Sequence, residues 1–382
     1  MTDGPFAYAT LRVIWWLILG VLLIGFAIMD GFDLGVGASV TYLGRSDAER
    51  RAVLLSVEPV WEGNQVWFIL GGGAAFAAWP LLYATSFSGL YLAMLLLLMA
   101  LILRPVGFGF RDKVQNARWR SAWDGALTVG GGVPALLFGV AFGNLFLGIP
   151  FHFDSLQRPV VGGGFFSLLH PFALLAGIVS LSMLVLQGNA YAAMKVGEPM
   201  AARARTLGRA ASAIFIVCFL AAGIWVYSAL PGYQVSGPLD HSGPSDPMRK
   251  TVAIVTGAWL NNFHHRPVFW LAPILALLGA VGAHVFLHMR EARAAFVAST
   301  LVQVATILTA GIALFPFLMP SSTYPNQSLT VWDSSSSAKT LLIMLAVVVI
   351  FLPIVLAYTA WVFSVLRGRI NVEDVQEHEG GY

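Results

Sequence analysis

The sequence predicts an all-α, polytopic membrane helix bundle of about nine transmembrane helices. Of its 382 residues, 58% are hydrophobic and only 11% are charged, whereas soluble domains have about 45–50% apolar and about 25% charged residues. The mean hydropathy is +0.76. Runs of about 20 apolar residues, the length that crosses the hydrocarbon layer as a helix, recur along the whole chain. We therefore treat residues 1–382 as a single membrane domain.

The apolar runs give the approximate limits of the spans. They cover residues 11–37, 57–78, 81–104, 123–147, 164–187, 209–230, 267–288, 295–318 and 340–366. The connections after odd-numbered spans are rich in Arg and Lys, and those after even-numbered spans are poorer. By the positive-inside rule, this pattern predicts an N-terminus outside and a C-terminus in the cytoplasm. The same rule accounts for the formal net charge of +3, so we predict a lipid bilayer around the chain and no nucleic-acid partner.

Five ionisable side chains lie in or at the ends of the first three spans. They are Asp30, Asp33, Glu58, Glu62 and Arg104. Because consecutive spans alternate in direction, all five are expected at one depth on the cytoplasmic side, in helices that short loops keep adjacent. Intramembrane charges are costly and often functional, so the four carboxylates form a predicted proton pathway. The alternative is that Arg104 forms a structural ion pair with Asp30 or Asp33, while Glu58 faces cytoplasmic water.

Glu62 is the strongest candidate for handling protons. It lies one turn deeper than Glu58 in the sequence Trp-Glu-Gly-Asn-Gln-Val-Trp at residues 61–67. A carboxyl group that is partly removed from water can exchange protons near neutral pH. Gly63 would let another chain segment approach closely, and Asn64 and Gln65 would orient the carboxyl group or its water.

The sequence contains no evident redox or metal centre. Cys218 is the only cysteine, which excludes a Cys-based cluster. His284 and His288 have an i, i+4 spacing that suits a metal, but no third ligand is apparent, so we predict no metal site. These residues alone leave open a proton-coupled secondary transporter that uses Glu62 with the two aspartates. No inverted repeat supports that alternative.

Several motifs together resemble subunit II of the cytochrome bd-type quinol oxidases, including their cyanide-insensitive relatives. The matching segments are residues 12–16, 25–35, 61–67, 76–80, 104–108, 139–144, 311–322 and 329–337. The resemblance covers essentially the whole chain. It implies a nine-helix subunit of the bacterial plasma (inner) membrane that pairs with a larger, haem-bearing subunit I.

The resemblance also implies a function. Such complexes oxidise quinol, reduce oxygen to water and generate a proton gradient, with two b-type haems and one d-type or third b-type haem in subunit I. Subunit II ligates none of them, some members hold a structural quinone, and some complexes add small single-helix accessory subunits. The family's proton-path aspartate falls at Glu62 and its oxygen-access tryptophan at Trp67. Glu58 stands where members often have an uncharged residue.

Overall fold

The computed structural model describes residues 7–237 and 239–373, which form twelve α-helices and three small hairpins. The helices are α1 (Tyr8–Leu43), α2 (Asp47–Leu55), α3 (Trp61–Ala78), α4 (Pro80–Gly89), α5 (Tyr91–Phe110), α6 (Ala117–Leu147), α7 (Pro171–Lys195), α8 (Met200–Ser228), α9 (Asn261–His265), α10 (Leu271–His288), α11 (Ala292–Leu314) and α12 (Ala338–Val365). The strands pair antiparallel as β1 (Phe151–Phe153) with β2 (Pro159–Val161), β3 (Pro231–Val235) with β4 (Val252–Thr256), and β5 (Phe317–Met319) with β6 (Leu329–Thr330).

The helices confirm the prediction of an all-α membrane bundle. Eight are long and apolar enough to cross a membrane, and the bent pair α3 and α4 makes up to nine if it counts as one span. The three hairpins follow α6, α8 and α11, so they lie at one end of the bundle, which we call the hairpin end. The opposite end, where α1 finishes, carries α2 and is called the α2 end. Which end faces the cytoplasm stays a prediction.

The predicted second and third spans differ from the structure. The second span was expected to start at residue 57. Its helix, α3, begins instead at Trp61, and residues 56–60 form a turn. The third span was expected to be continuous over 81–104, but α4 and α5 are separate helices that meet at Leu90. A bend of 119° separates α3 from α4. Pro80 explains the bend, because proline lacks the N–H that would continue the preceding helix and is well suited to start a new one.

Two later spans also have limits that differ from those predicted, one at its start and one at its end. The fifth span was expected over 164–187, but α7 starts at Pro171, where the Nδ1 atom of His170 accepts a hydrogen bond from the Phe172 N–H at 3.2 Å. The eighth was expected over 295–318, but α11 ends at Leu314 because residues 317–319 pair as β5. The residues just before His170 and those of β5 are as apolar as a span, so hydropathy alone misplaces these limits.

Helix α1 lies at the centre of the bundle and packs against α3, α6, α7 and α11. Glycines allow backbone-to-backbone contact there, as is common in membrane helix packing. A Cβ atom on Gly35 would lie 2.0 Å from the Leu184 carbonyl oxygen of α7. A Cβ atom on Gly131 of α6 would lie 2.5 Å from the Leu34 carbonyl oxygen. The acidic segment of α1 is therefore held rigidly between two neighbouring helices.

At the hairpin end, buried charges fasten the long connection between α8 and α10. The Arg12 guanidinium donates hydrogen bonds to the His241 carbonyl oxygen at 2.7 Å and to Ser335 Oγ at 2.8 Å. Lys250 Nζ lies 2.8 Å from Asp333 Oδ2, and both side chains are buried. These contacts fix the connection against α1 and the segment before α12.

At the α2 end, α2 begins with a capping box formed by Ser46 and Glu49. Glu49 also accepts hydrogen bonds from Arg203 of α8 at 2.8 and 3.1 Å. The hydrogen bond from Arg203 lowers the pKa of Glu49 to about 2, so this carboxylate stays charged at neutral pH and joins α2 to α8.

Candidate functional site

A buried ion pair joins α1 to α5 near the α2 end. Arg104 Nη2 donates to Asp30 Oδ1 at 2.6 Å, and Arg104 Nη1 donates to Asp30 Oδ2 at 3.2 Å. The side chains are only 4% and 2% exposed, respectively. Gly130 of α6 makes room for the pair, because a Cβ atom there would lie 3.3 Å from Arg104 Cγ. A bidentate Arg–carboxylate pair is the arrangement that best compensates the burial of both charges.

Asp33 lies one turn further along α1 and has a different environment. Its Oδ2 accepts a hydrogen bond from Asn64 Nδ2 of α3 at 2.8 Å. Its Oδ1 is buried and has no hydrogen-bond partner among residues 7–237 and 239–373. Arg104 donates to both carboxylate oxygens of Asp30. The burial of Asp33 is therefore less well compensated than that of Asp30. An incompletely compensated buried carboxyl group is a natural place for a proton.

Trp61 covers the ion pair from the start of α3. Its ring centroid lies 5.8 Å from Arg104 Cζ, and the ring stacks on Phe108 of α5 at 5.5 Å. This cation–π contact is compatible with the Asp30 pair, because the guanidinium face and its N–H edge are used separately. Trp61 is therefore part of the buried cluster, although the sequence does not distinguish it from an interfacial anchor.

The structure separates the two glutamates from the aspartate cluster. Glu62 is exposed on α3, whereas Asn64 two residues later is buried against α1. Residues two positions apart point to nearly opposite sides of a helix, so the expectation that Asn64 orients Glu62 is wrong. Glu58 lies in the turn before α3, and its Oε2 accepts a hydrogen bond from Arg51 at 2.7 Å. The predicted common depth therefore brings together Asp30, Asp33 and Arg104 only.

Helix α3 has two distinct faces. Its buried face points to α1 and includes Trp61, Asn64 and Trp67. Its outward face is exposed in the single chain and consists of Glu62, Gly63, Val66, Ile69, Leu70, Gly73 and Phe76. Nothing in the described part of the chain lies within 4 Å of a Cβ atom placed on Gly63, so the close approach expected at Gly63 is absent within this chain.

Trp67 fits into a notch on α1. A Cβ atom on Gly25 would lie 2.2 Å from Trp67 Cε3, so only glycine leaves room for this indole. The next residue, Phe68, lines a cavity of about 570 Å³ between α1, α3, α6, α7, α8, α10 and α11. Phe26, Phe138 and Met183 also line this cavity, which is almost entirely apolar.

A row of polar side chains between α7 and α11 was missed by the sequence analysis. Ser299 Oγ donates to Gln187 Oε1 at 2.6 Å, and Gln303 Nε2 donates to the Met183 carbonyl oxygen at 2.9 Å. One turn further along α11, Thr306 lines the cavity, and its hydroxyl has no partner in the described residues. The i, i+4 spacing of Ser299 and Gln303 within an apolar span was the available signal.

The described histidines provide no cluster for a metal. Within residues 7–237 and 239–373, no group of three or more His, Cys, Asp or Glu side chains is arranged to hold an ion. His284 instead makes a 3.2 Å contact through Nδ1 with the Arg209 carbonyl oxygen of α8. This contact gives His284 a structural role, because it joins α10 to α8.

Comparisons with known proteins agree along the whole chain. A family model described as cytochrome bd terminal oxidase subunit II matches residues 11–366. The probable cytochrome oxidase subunit 2 of Haemophilus influenzae is 48% identical over 372 residues, covering 97% of this chain and 98% of that protein. The cytochrome bd-I ubiquinol oxidase subunit 2 of Escherichia coli is 48% identical over 371 residues, with the same two coverages.

A solved structure shows the same fold. This chain superposes on a chain of the bd oxidase from Geobacillus thermodenitrificans with a TM-score of 0.68 and 15% sequence identity, covering 93% of this chain and 98% of that one. The apolar helices and the bacterial relatives identify a multi-pass protein of the bacterial inner membrane. The family model and both relatives match almost the full length, and the chain therefore belongs to the cytochrome bd terminal oxidase subunit II family.

Proposed function

We propose that this chain is the second subunit of a membrane complex that oxidises quinol, reduces oxygen to water and generates a proton gradient. The observation that carries the proposal is 48% identity across nearly the full length of a bacterial ubiquinol oxidase subunit 2. The same observation favours this function over a proton-coupled secondary transporter. The partner is a haem-bearing subunit I, and small single-helix subunits are further candidate partners.

The haems belong, in this proposal, to subunit I. A haem iron needs axial His, Met or Cys side chains directed at its centre. The described histidines instead lie in the connections or near helix ends, and His284 already contacts the Arg209 carbonyl oxygen. When bound in the partner, the haems supply electron transfer and oxygen reduction. This chain then supports the partner and supplies routes for protons and oxygen.

Glu62 is the proposed proton-handling residue at the boundary with subunit I. It is an exposed carboxylate on an otherwise apolar outward face of α3. A charged group in a membrane helix needs a polar partner or water, so a partner that covers this face has to meet Glu62 with polar groups or a hydrated channel. Behind this face, Asp33 offers a second proton-holding carboxyl group, while Asp30 with Arg104 serves as the structural pair. Glu58 is kept out of the proton route because Arg51 binds it.

The apolar interior suits oxygen and a structural quinone. Oxygen is apolar and partitions into apolar cavities, and Phe68, the residue after Trp67, lines the cavity of about 570 Å³. This volume lies within the range of about 300–1,000 Å³ that is typical of sites for small molecules. The Thr306 hydroxyl has no partner among the residues that the structure describes, so it is free to donate a hydrogen bond to a quinone carbonyl. We therefore assign oxygen access to Trp67 and place a structural quinone in this cavity.

Gly25→Ala tests the assignment of Trp67. The added methyl group would overlap the indole, so Trp67 has to move away from α1 or the packing is strained by about 1–3 kcal/mol. We expect a severalfold rise in the apparent KM for oxygen, with kcat at saturating oxygen unchanged. The measurement is the oxygen dependence of quinol oxidation by the purified complex. Gly20→Ala is the matched control, because a Cβ atom at Gly20 has nothing within 4 Å in the described residues. An unchanged KM for oxygen in Gly25→Ala would contradict the assignment.

The function as a whole is tested on the chain purified from its native membrane together with whatever accompanies it. The reduced-minus-oxidised spectrum and quinol-driven oxygen uptake are recorded. We expect haem bands and oxygen uptake to copurify with a larger partner and to disappear when this chain is isolated alone. A haem-free preparation without a partner or oxygen uptake would overturn the oxidase function and revive the transporter alternative.

A further inference from the structure

Six side chains of alternating charge form a continuous chain of ion pairs at the α2 end. Its five contacts, in order, are Glu58 to Arg51 at 2.7 Å, Arg51 to Asp112 at 3.1 Å, Asp112 to Arg111 at 2.8 Å, Arg111 to Asp124 at 2.6 Å, and Asp124 to Arg50 at 3.0 Å. Arg50 and Arg51 are neighbours in α2, so the five residues from Arg51 to Arg50 close on the backbone of that helix, and Glu58 is attached to them through Arg51. We call these six residues the charge ring.

The charge ring is anchored in the protein interior. Asp124 and Arg111 are each only 1% exposed at the side chain, and their contact is the shortest of the five. The ring contains three cations and three carboxylates, so its formal charges balance. Arg111 also binds Asp47 at the start of α2 at 2.7 Å. Because removing one partner of a buried ion pair is costly, these contacts hold α2 firmly against α6 and the segment that follows α5.

Glu58 is the member of the charge ring that belongs to the turn before α3. The same turn is held on its other side, where the Tyr191 hydroxyl of α7 donates to the Ser56 carbonyl oxygen at 3.0 Å. Three residues after Glu58, Trp61 begins α3 and covers Arg104. The turn therefore has two attachments, and α3 begins directly after it.

The side chains of Glu58 and Arg51 are 29% and 24% exposed, respectively. An isolated ion pair with this exposure contributes little to stability. Here, however, Arg51 is already held by Asp112, so the entropy of ordering its side chain is shared between two contacts. The pair therefore contributes to the position of the turn more than to global stability.

We propose that Glu58 is a positioning residue, which connects the start of α3 to the charge ring and thereby places Glu62 for proton transfer. This inference rests on the proposed function of Glu62. Glu58 does not itself carry the proton, because its carboxylate is bound to Arg51 at 2.7 Å. The charge ring also gives a structural reason for the carboxylate at position 58.

The test uses Glu58→Gln, Glu58→Asp and Arg51→Gln in the purified complex. We expect kcat for quinol-driven oxygen uptake to fall about 3- to 10-fold in Glu58→Gln, below the roughly 100-fold that a 1 Å misplacement can cost. The KM for quinol should be unchanged. Arg51→Gln should have the same effect, and the double variant no more than either single one. Glu58→Asp should restore at least half of the lost turnover, because it keeps the charge.

A second measurement does not depend on activity. Backbone hydrogen exchange of residues 56–64 should be faster in Glu58→Gln than in the wild type and should return towards wild type in Glu58→Asp. Asp154→Asn is the matched control for both measurements, because it removes an exposed ion pair with Arg158 in the connection after α6. It should change neither turnover nor exchange in this segment.

The outcomes distinguish the positioning role of Glu58 from the function of the complex. Unchanged exchange in Glu58→Gln, or faster exchange with undiminished turnover, would overturn the positioning role. A wild-type complex without quinol-driven oxygen uptake would instead overturn the proposed function, and the exchange data would still decide whether Glu58 fixes the turn.

Discussion

Glu62→Gln is expected to lower quinol-driven oxygen uptake by the complex about 100-fold, the lower end of the range for a lost proton-transfer group. Glutamine keeps the size and hydrogen-bonding capacity of the side chain but cannot carry a proton. The KM for quinol should stay unchanged, because the role proposed for Glu62 is proton transfer and not quinol binding. The measurement is steady-state oxygen uptake together with proton uptake in reconstituted vesicles.

Two controls distinguish proton transfer at Glu62 from a general loss of structure. Glu62→Asp keeps an ionisable carboxyl group and should retain most of the turnover, with some loss because the side chain is one methylene shorter. Glu291→Gln removes another exposed carboxylate, in the short connection between α10 and α11, and should have no effect. Undiminished turnover in Glu62→Gln would contradict the proposed role of Glu62 in proton transfer.

Arg104→Met is expected to give the largest loss of stability. Methionine resembles the aliphatic part of arginine, but it leaves the Asp30 carboxylate buried without its cation. Removing one member of a buried ion pair costs about 3–5 kcal/mol. We expect a low yield of complex and a clearly lower midpoint of thermal unfolding. The measurement is thermal unfolding of the purified complex, compared with the wild type under the same conditions.

The double variant Asp30→Asn with Arg104→Met tests the cause of that loss. If the unpaired carboxylate is responsible, removing its charge should recover a large part of the stability, and the two substitutions should not be additive. Additive losses would show that Arg104 acts mainly through packing, for example through its contact with Trp61. A single variant as stable as the wild type would contradict the assignment of a structural pair.

The sequence by itself determined the class of fold, because hydrophobic composition and the length of apolar runs reflect the thickness of the bilayer. It also identified the costly charges in the first three spans. The helix limits were less predictable. Pro80 bends the second span, and the start of α7 depends on a cap at His170. Such local hydrogen bonding leaves little trace in average hydropathy.

The tertiary structure decided how those charges are used. Alternating span direction was enough to predict that Asp30, Asp33 and Arg104 lie at one depth. Depth alone, however, does not determine in which direction a side chain points around its helix. The rotation of α3 turns Asn64 towards Asp33 and Glu62 away from it. Which helix face is buried depends on packing against α1.

The partners of Glu58 illustrate the same limit at longer range. Its partner Arg51 is only seven residues away in sequence. The charge ring, however, continues to Asp112 and Asp124, which lie in other helical segments. Sequence patterns record periodicity within one helix, whereas ion pairing across helices depends on where the helices pack. The sequence therefore determined that this protein carries charges into a membrane bundle, and only the tertiary structure decided which charges neutralise one another and which one, Glu62, is left facing outward.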